Sequence, residues 1–256
     1  MIKDPFNLSG KVAIVTGAGQ GLGKEFALAL ANAGADIVIA ERNPETGPQT
    51  AREVEALGPK ALSLVTDVTD AKSVQSAVDA AVKKLGHIDV LVNNAGMTIW
   101  GDAESVPEED WKKVLELNLN GLYRCCRAVG KVMLEKGGGS IINIASMSGL
   151  IVNVPQPQWS YNASKAAVIH LTRSLAVEWA KRGVRVNAVS PGYMDTPMAR
   201  PFFEKPEYGG VWMDRIPMGR PGRPEELGPL VVYLAGEAST YVTGSNFVID
   251  GGYTAE

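Results

Sequence analysis

The chain has 256 residues, 45% of them hydrophobic, with 25 Lys and Arg against 28 Asp and Glu for a net charge of -3. That length suits one domain with a sizeable core, and no Pro/Gly/Ser-rich stretch or charge run offers a linker, so a single domain over 1–256 is expected. The mildly acidic balance without a basic block speaks against a nucleic-acid partner. Residues 1–10 lack the apolar stretch of a secretory signal and no later run approaches a membrane span, so a cytoplasmic location without a membrane partner is expected.

In chain order, the first β-rich run spans 12–16 and opens into Thr16-Gly17-Ala18-Gly19-Gln20-Gly21-Leu22-Gly23, after which a helix is predicted at about 22–33. A turn that follows a strand and precedes a helix aims backbone N–H groups and the positive helix N-terminus at one point, where an anionic pyrophosphate is stabilised. Gly17 permits the sharp turn, Gly21 removes a Cβ from the line of approach, and Gly23 lets helix and strand pack closely. The spacing is T-G-x-x-x-G-x-G rather than the commoner G-x-G-x-x-G, and the plain alternative is a β–α turn without ligand.

Further strands are predicted at 36–40, 61–66, 90–93, 140–145, 185–189 and 246–249, and helices at 71–85, 107–136, 160–182 and 224–236, with Pro107 and Pro224 as first-turn prolines. The strand runs are nearly continuous in apolar residues, as strands covered on both faces are. The fold class is therefore α/β, with a mostly parallel, doubly wound sheet. Cys125 and Cys126 are adjacent in a predicted helix and lack the spacings of a metal site or disulfide framework, so reduced, packed thiols and no metal are expected. The stretch 193–223 holds Pro197, Pro201, Pro206, Pro217 and Pro221 among aromatic residues and reads as a long irregular excursion, of the kind that is usually functional in a compact domain.

Tyr161-Asn162-Ala163-Ser164-Lys165 sits in the predicted 160–182 helix, where positions i and i+4 share a face. A free tyrosine is a poor base at neutral pH, and lowering its pKa of about 10 by roughly three units requires about 4 kcal/mol of phenolate stabilisation. A cation about 4 Å away at an effective dielectric near 20 supplies roughly that much. The pair therefore has the makings of a lysine-assisted acid/base.

The turn at 16–23, Asn93-Asn94-Ala95-Gly96, Asn118, Ser146, Tyr161-x-x-x-Lys165 and Pro191-Gly192 stand in the order and context of the short-chain dehydrogenase/reductases, which the chain resembles over essentially its full length. The resemblance implies a single Rossmann-type domain with a seven-stranded sheet, a nicotinamide cofactor, reversible oxidation of an alcohol to a ketone, and a homotetramer. It also implies a catalytic set. Tyr161 exchanges the alcohol proton, Ser146 donates to the same oxygen, Lys165 lowers the phenol pKa and binds the ribose, and Asn118 completes a water-linked relay to Lys165. Around the cofactor it implies Gly17, Gln20, Gly21, Leu22 and Gly23 at the pyrophosphate, Asp67 and Val68 beside adenine, Asn94, Ala95 and Gly96 along the adenosine side, and Gly192, Met194 and Thr196 at the carboxamide.

Two details depart from the family's commonest pattern. Tyr161 follows Ser146 at a gap of fifteen positions, about two more than usual, which makes Ser148 a rival; Ser146 is preferred because it directly ends the apolar strand and keeps the family's S-x-x-G order. The insertion then falls in 153–159. After the second strand, Glu41 can accept from both ribose hydroxyls and would repel a 2′-phosphate, favouring NAD, whereas Arg42 can clamp that phosphate and leaves NADP possible. The 146–161 segment and Trp212-Met-Asp-Arg-Ile-Pro-Met-Gly219 resemble members acting on polyols and ketoses. Ser148, Asn153, Gln156 and Gln158 are the candidate partners for substrate hydroxyls, with Trp159, Trp100 or Trp212 over the C–H face and 193–223 as a lid. The rivals are reduction of a 3-oxoacyl group and a non-catalytic nucleotide-binding protein.

Overall fold

The computed structural model describes residues 4–255; Met1, Ile2 and Lys3, on which part of the N-terminal expectation rests, and Glu256 lie outside the described residues. Seven strands, β1 (Val12–Thr16), β2 (Asp36–Glu41), β3 (Ala61–Val65), β4 (Val90–Asn93), β5 (Gly139–Ile144), β6 (Val184–Pro191) and β7 (Asn246–Ile249), make one sheet in the order β3-β2-β1-β4-β5-β6-β7. Every pairing is parallel. The strand order reverses direction between β1 and β4, and in a doubly wound sheet the crevice beyond the strand carboxyl ends at that point is where ligands bind.

Alternate residues of each strand face opposite helical layers. Ala13, Val15, Ile37, Ile39, Val90 and Val92 pack with Phe26 and Leu30 of α1 (Gly21–Asn32). Val12, Ile14, Val38 and Leu91 pack with Val74 and Val78 of α3 (Ala71–Leu85) on the other side. Burial of such side chains contributes about 1.5–3 kcal/mol each, and having apolar residues on both faces is what makes these strands read as unbroken hydrophobic runs.

The helices differ from expectation in three places, each with a local cause. A helix absent from the prediction, α2 (Thr46–Glu55), buries only Gly47, Thr50 and Val54, a stripe too narrow and too polar to show as periodicity. The predicted 107–136 helix is interrupted: α4 (Glu108–Leu115) and α5 (Leu122–Lys136) flank a π-helical segment, Glu116–Gly121, in which the Asn118 side chain accepts from Met97 N–H at 2.8 Å and donates to Met97 C=O at 2.8 Å. Pro107 caps α4 rather than opening it. Finally, the 193–223 stretch contains α7 (Arg200–Phe203), a π segment at Pro206–Gly210 and α8 (Val211–Asp214), short turns that its prolines start and stop. The long α6 (Trp159–Trp179) and α9 (Gly228–Ala235) complete the layers. Cys125 and Cys126 are buried free thiols, and among the described residues no His/Cys/Asp/Glu group has a metal-holding arrangement and no helix is long and apolar enough to cross a membrane.

Candidate active site

A cleft of about 720 Å³ runs along the carboxyl ends of the strands. At one end lies the turn between β1 and α1. Gly17 has φ +62° and Gly21 φ +56°, backbone that side chains rarely adopt, and a Cβ on Gly21 would meet open space, so the chain there is bare toward the cleft. Gln20 provides no side-chain cap for α1, and the first turn carries no acidic residue, which leaves N–H donors at the helix start for an anion. These features fit the pyrophosphate of a dinucleotide. Gly17, Gln20, Gly21 and Leu22 line the cleft, whereas Gly23 does not; a Cβ on Gly23 would stand 2.2 Å from Gly17 O, so its part is to let α1 sit against the turn.

Beyond β2, Glu41 accepts from Gly19 N–H at 3.0 Å and from Asn43 N–H at 2.9 Å, which fixes its carboxylate on the cleft wall beside Arg42. Asp67 and Val68 follow β3 on the same wall, and hydrogen bonds from Thr69 hold the Asp67 carboxyl below the usual range. Asn94, Ala95 and Gly96 come from the end of β4, with Asn94 Nδ2 bonded to Thr16 O and Gly17 O so that the two strand ends are tied together. Gly192, Met194 and Thr196 line the stretch after β6.

At the centre stand Ser146, Tyr161 and Lys165. Ser146 caps the 3-10 turn Met147–Gly149 that follows β5, and Tyr161 and Lys165 lie one turn apart on α6. Burial pushes the Tyr161 phenol up, and a hydrogen bond with Ser146 pulls it partly back. Lys165 stands farther from the phenol ring than the expected separation of about 4 Å: its Nζ is 5.5 Å from the Tyr161 ring centroid and donates to Ile144 C=O at 2.7 Å. Asn118, expected to reach Lys165 through a water, lies near it without a direct hydrogen bond. Its amide donates to Ser164 Oγ at 3.0 Å, and its Oδ1 and Lys165 Nζ stand 3.3 and 3.6 Å from where a Cβ on Gly96 would be.

Lys165 is 4% exposed, and burial brings its pKa down to about 8 from 10.5. Between those two values the unfolded chain holds the extra proton, so this group makes stability rise with pH; below 8 both states are charged and its penalty is constant. Burial raises Cys125 to about 12 from 9.0, and Cys126 is raised as well, which opposes the gain above pH 9. The contribution is therefore readable from pH 8 to 9, where wild type is expected to gain about 1 kcal/mol relative to Lys165→Met in denaturant titrations of the cofactor-free protein. A flat difference would mean that the ammonium is not desolvated.

The far end of the cleft is an amide cluster. Asn153, Gln156 and Gln158, all buried, line it with Ser148. Asn153 Nδ2 and Gln156 Nε2 donate to the Tyr193 hydroxyl at 3.1 and 2.9 Å, and Gln158 Nε2 donates to Ser148 Oγ at 3.2 Å and Asn153 Oδ1 at 3.0 Å. Tyr193 was not among the residues picked out from sequence, although its place between Gly192 and Met194, just past the end of β6, was a signal. The tryptophans divide. Trp100 lines the cleft; Trp159 lies outside it, stacked on Trp111 at 5.0 Å; and Trp212, 2% exposed, stacks on Tyr193 at 4.2 Å and donates to Gln156 Oε1, behind the wall rather than on it. Trp159 and Trp212 thus do not line the cleft, and each is stacked on another aromatic ring.

Residues 17–254 match a family model described as enoyl-(acyl carrier protein) reductase. Galactitol 2-dehydrogenase (L-tagatose-forming) of Cereibacter sphaeroides is 43% identical, with 97% of each chain covered. A short-chain type dehydrogenase/reductase of Mycobacterium marinum superposes with a TM-score of 0.96 at 44% identity over all of both chains. A gluconate 5-dehydrogenase of Burkholderia cenocepacia, solved with NADP and tartrate, superposes at 0.93 with 35% identity over 99% of this chain and 98% of its own. With the sheet order, the strand-to-helix glycine turn and this likeness over the full length, the chain belongs to the short-chain dehydrogenase/reductase family and is an oxidoreductase acting on CH–OH groups with a nicotinamide cofactor.

Proposed function

We propose that the protein interconverts a secondary hydroxyl of an uncharged polyol of four to six carbons and the matching ketose, with NAD favoured. The observation that carries this reading is the far end of the cleft, lined by three buried amides and the Tyr193 hydroxyl, while Lys165 stands at the centre and the other charged lining residues among those described, Glu41, Arg42 and Asp67, belong to the opposite end. A polyol brings several hydroxyls that need donors and acceptors once desolvated, and amides supply both. A sugar acid would bring a carboxylate into that end without an arginine to pair it, which costs far more than burying a hydroxyl. A 3-oxoacyl chain would leave the amides facing methylenes.

A bound nicotinamide would supply the hydride acceptor for oxidation of the carbinol carbon and the hydride donor for the reverse reduction. Tyr161 takes the hydroxyl proton, and Ser146 donates a hydrogen bond to the same oxygen, stabilising the charge that develops there. Lys165, which lines the cleft while donating to Ile144 O, would hold the ribose, and Asn118 anchors the chain after β4 at Met97. We take 193–223 to be a lid over one catalytic domain, and a cytoplasmic homotetramer to be its working form. The test is kcat/KM, read from nicotinamide absorbance, for galactitol, threitol, gluconate and a 3-oxoacyl thioester. The polyols are expected to lead by at least tenfold, the scale of one well-placed hydrogen-bonded hydroxyl. Efficient turnover of the thioester beside weak activity on every polyol would move the assignment to acyl reduction, and a lead for gluconate would move it to sugar acids.

A further inference from the structure

Ser148 and Gln158 stand next to the reacting groups without being among them, and their hydrogen bonds are directional. Gln158 precedes α6, three residues before Tyr161, and is 7% exposed; Ser148 is 5% exposed. The Gln158 amide nitrogen can only donate, so Ser148 Oγ, 3.2 Å away, is its acceptor. Ser148 also donates its backbone N–H to Ser146 Oγ at 3.1 Å, and the two hydroxyl oxygens are 3.0 Å apart. That last contact can run either way, since each hydroxyl has one hydrogen and two acceptor sites.

Its direction decides what Ser146 does. If Ser146 donates to Ser148, its single hydrogen is turned away from the reacting oxygen. If Ser148 donates to Ser146, the Ser146 oxygen has accepted from both the N–H and the O–H of Ser148, and its own hydrogen is left for the reacting oxygen. We infer that Gln158 and Ser148 are positioning residues that orient the Ser146 hydroxyl as a donor, through the chain Gln158 N–H to Ser148 O–H to Ser146 O–H to the reacting oxygen. By accepting from Gln158, Ser148 becomes the better donor, because linked hydrogen bonds polarise one another in the same sense. The inference rests on Ser146 and Tyr161 being the groups that face the reacting oxygen. It departs from the expectation that Gln158 donates to a substrate hydroxyl, because its amide hydrogens are already engaged by Ser148 and Asn153, with Asn162 Oδ1 at 3.2 Å as a further acceptor.

The test combines Gln158→Met, Ser148→Ala and their double variant, with substrate oxidation measured on a polyol and on a simple secondary alcohol that has one hydroxyl. Each single variant is expected to lower kcat roughly five- to tenfold, the scale of one neutral hydrogen bond, on both substrates and with little change in KM. The double variant should be no slower than Ser148→Ala alone, since without Ser148 the amide has nothing to orient. The rising limb of the oxidation pH profile should move to higher pH in all three, because Ser146 then supports the Tyr161 phenolate less well. Losses that multiply in the double variant, or a Gln158→Met loss confined to KM for the polyol, would overturn the chain and make Gln158 a substrate contact. If Gln158→Met fails to fold, Ser148→Ala alone still decides through its pH limb: an unmoved limb overturns the proposal. Full activity in Ser146→Ala would instead remove the reading on which it rests.

Discussion

Tyr161→Phe is expected to lower turnover by about 10² or more, the size of a general acid–base contribution, while cofactor affinity stays near that of wild type. The ring and its place on α6 are retained, and only the hydroxyl proposed to transfer the proton is lost. The phenol's environment sets the pH dependence that should accompany this. Burial raises it, the Ser146 hydrogen bond lowers it, and the nearby ammonium of Lys165 is directed at Ile144 O. In the cofactor-free protein the tyrosine is therefore held in its neutral, donating form, ready for ketone reduction. Oxidation needs the phenolate and should accelerate with rising pH, whereas reduction should not. Ser146→Ala is expected to cost as much as Tyr161→Phe within an order of magnitude, and far more than Ser148→Ala. Turnover near wild type in Tyr161→Phe would sink the assignment, and the opposite serine ranking would give Ser148 the contact with the reacting oxygen.

The sheet was the most legible part of this molecule, because a strand buried on both faces, as β1, β2, β4, β5 and β6 are for most of their length, carries its signature in its own residues. All seven predicted runs became strands to within a residue or two at their ends, in one parallel sheet. Helix α2 was illegible for the converse reason: it rests on Gly47, Thr50 and Val54, none of which marks a helical stripe. The π segment at 116–121 could not be read from periodicity either, since one extra residue in a turn changes register without changing composition. It nonetheless carries Asn118, whose amide pairs with Met97 as a strand neighbour would. In the site, the residues with local signatures, such as the glycine turn and the Tyr161–Lys165 spacing, were found directly. Tyr193 and the roles of the tryptophans were not, because they depend on which ring packs against which, a property of the folded excursion from 193 to 223 and of α4 rather than of any local spacing. The expected electrostatics also needed the fold: sequence spacing brings a lysine to the face of a tyrosine, but the partner it takes there is a strand carbonyl.

The proposed preference for NAD rests on a carboxylate that the fold has already oriented. Glu41 is held at 3.0 Å by Gly19 N–H, inside the glycine turn, and at 2.9 Å by Asn43 N–H, so it cannot swing away from an incoming ligand without giving up both bonds. Bringing a 2′-phosphate to that wall sets like charges against each other, at a cost of several kcal/mol, whereas a ribose diol meets an acceptor already in place. Arg42 lies on the same wall with no ion-pair partner among the described residues, free to turn to a phosphate once the repulsion is removed. Glu41→Ser is therefore expected to shift the NADP-to-NAD ratio of kcat/KM by about 10² toward NADP, a swing within that range of cost, losing NAD efficiency and gaining NADP efficiency together. Adding Arg42→Ala to it should take back the NADP gain without restoring NAD, which separates repulsion by the acid from attraction by the base. The relative solved with NADP makes the contrary outcome concrete. If the wild type already prefers NADP, Arg42 outweighs Glu41, and Glu41→Ser would then improve NADP use only slightly while Arg42→Ala alone reverses the preference.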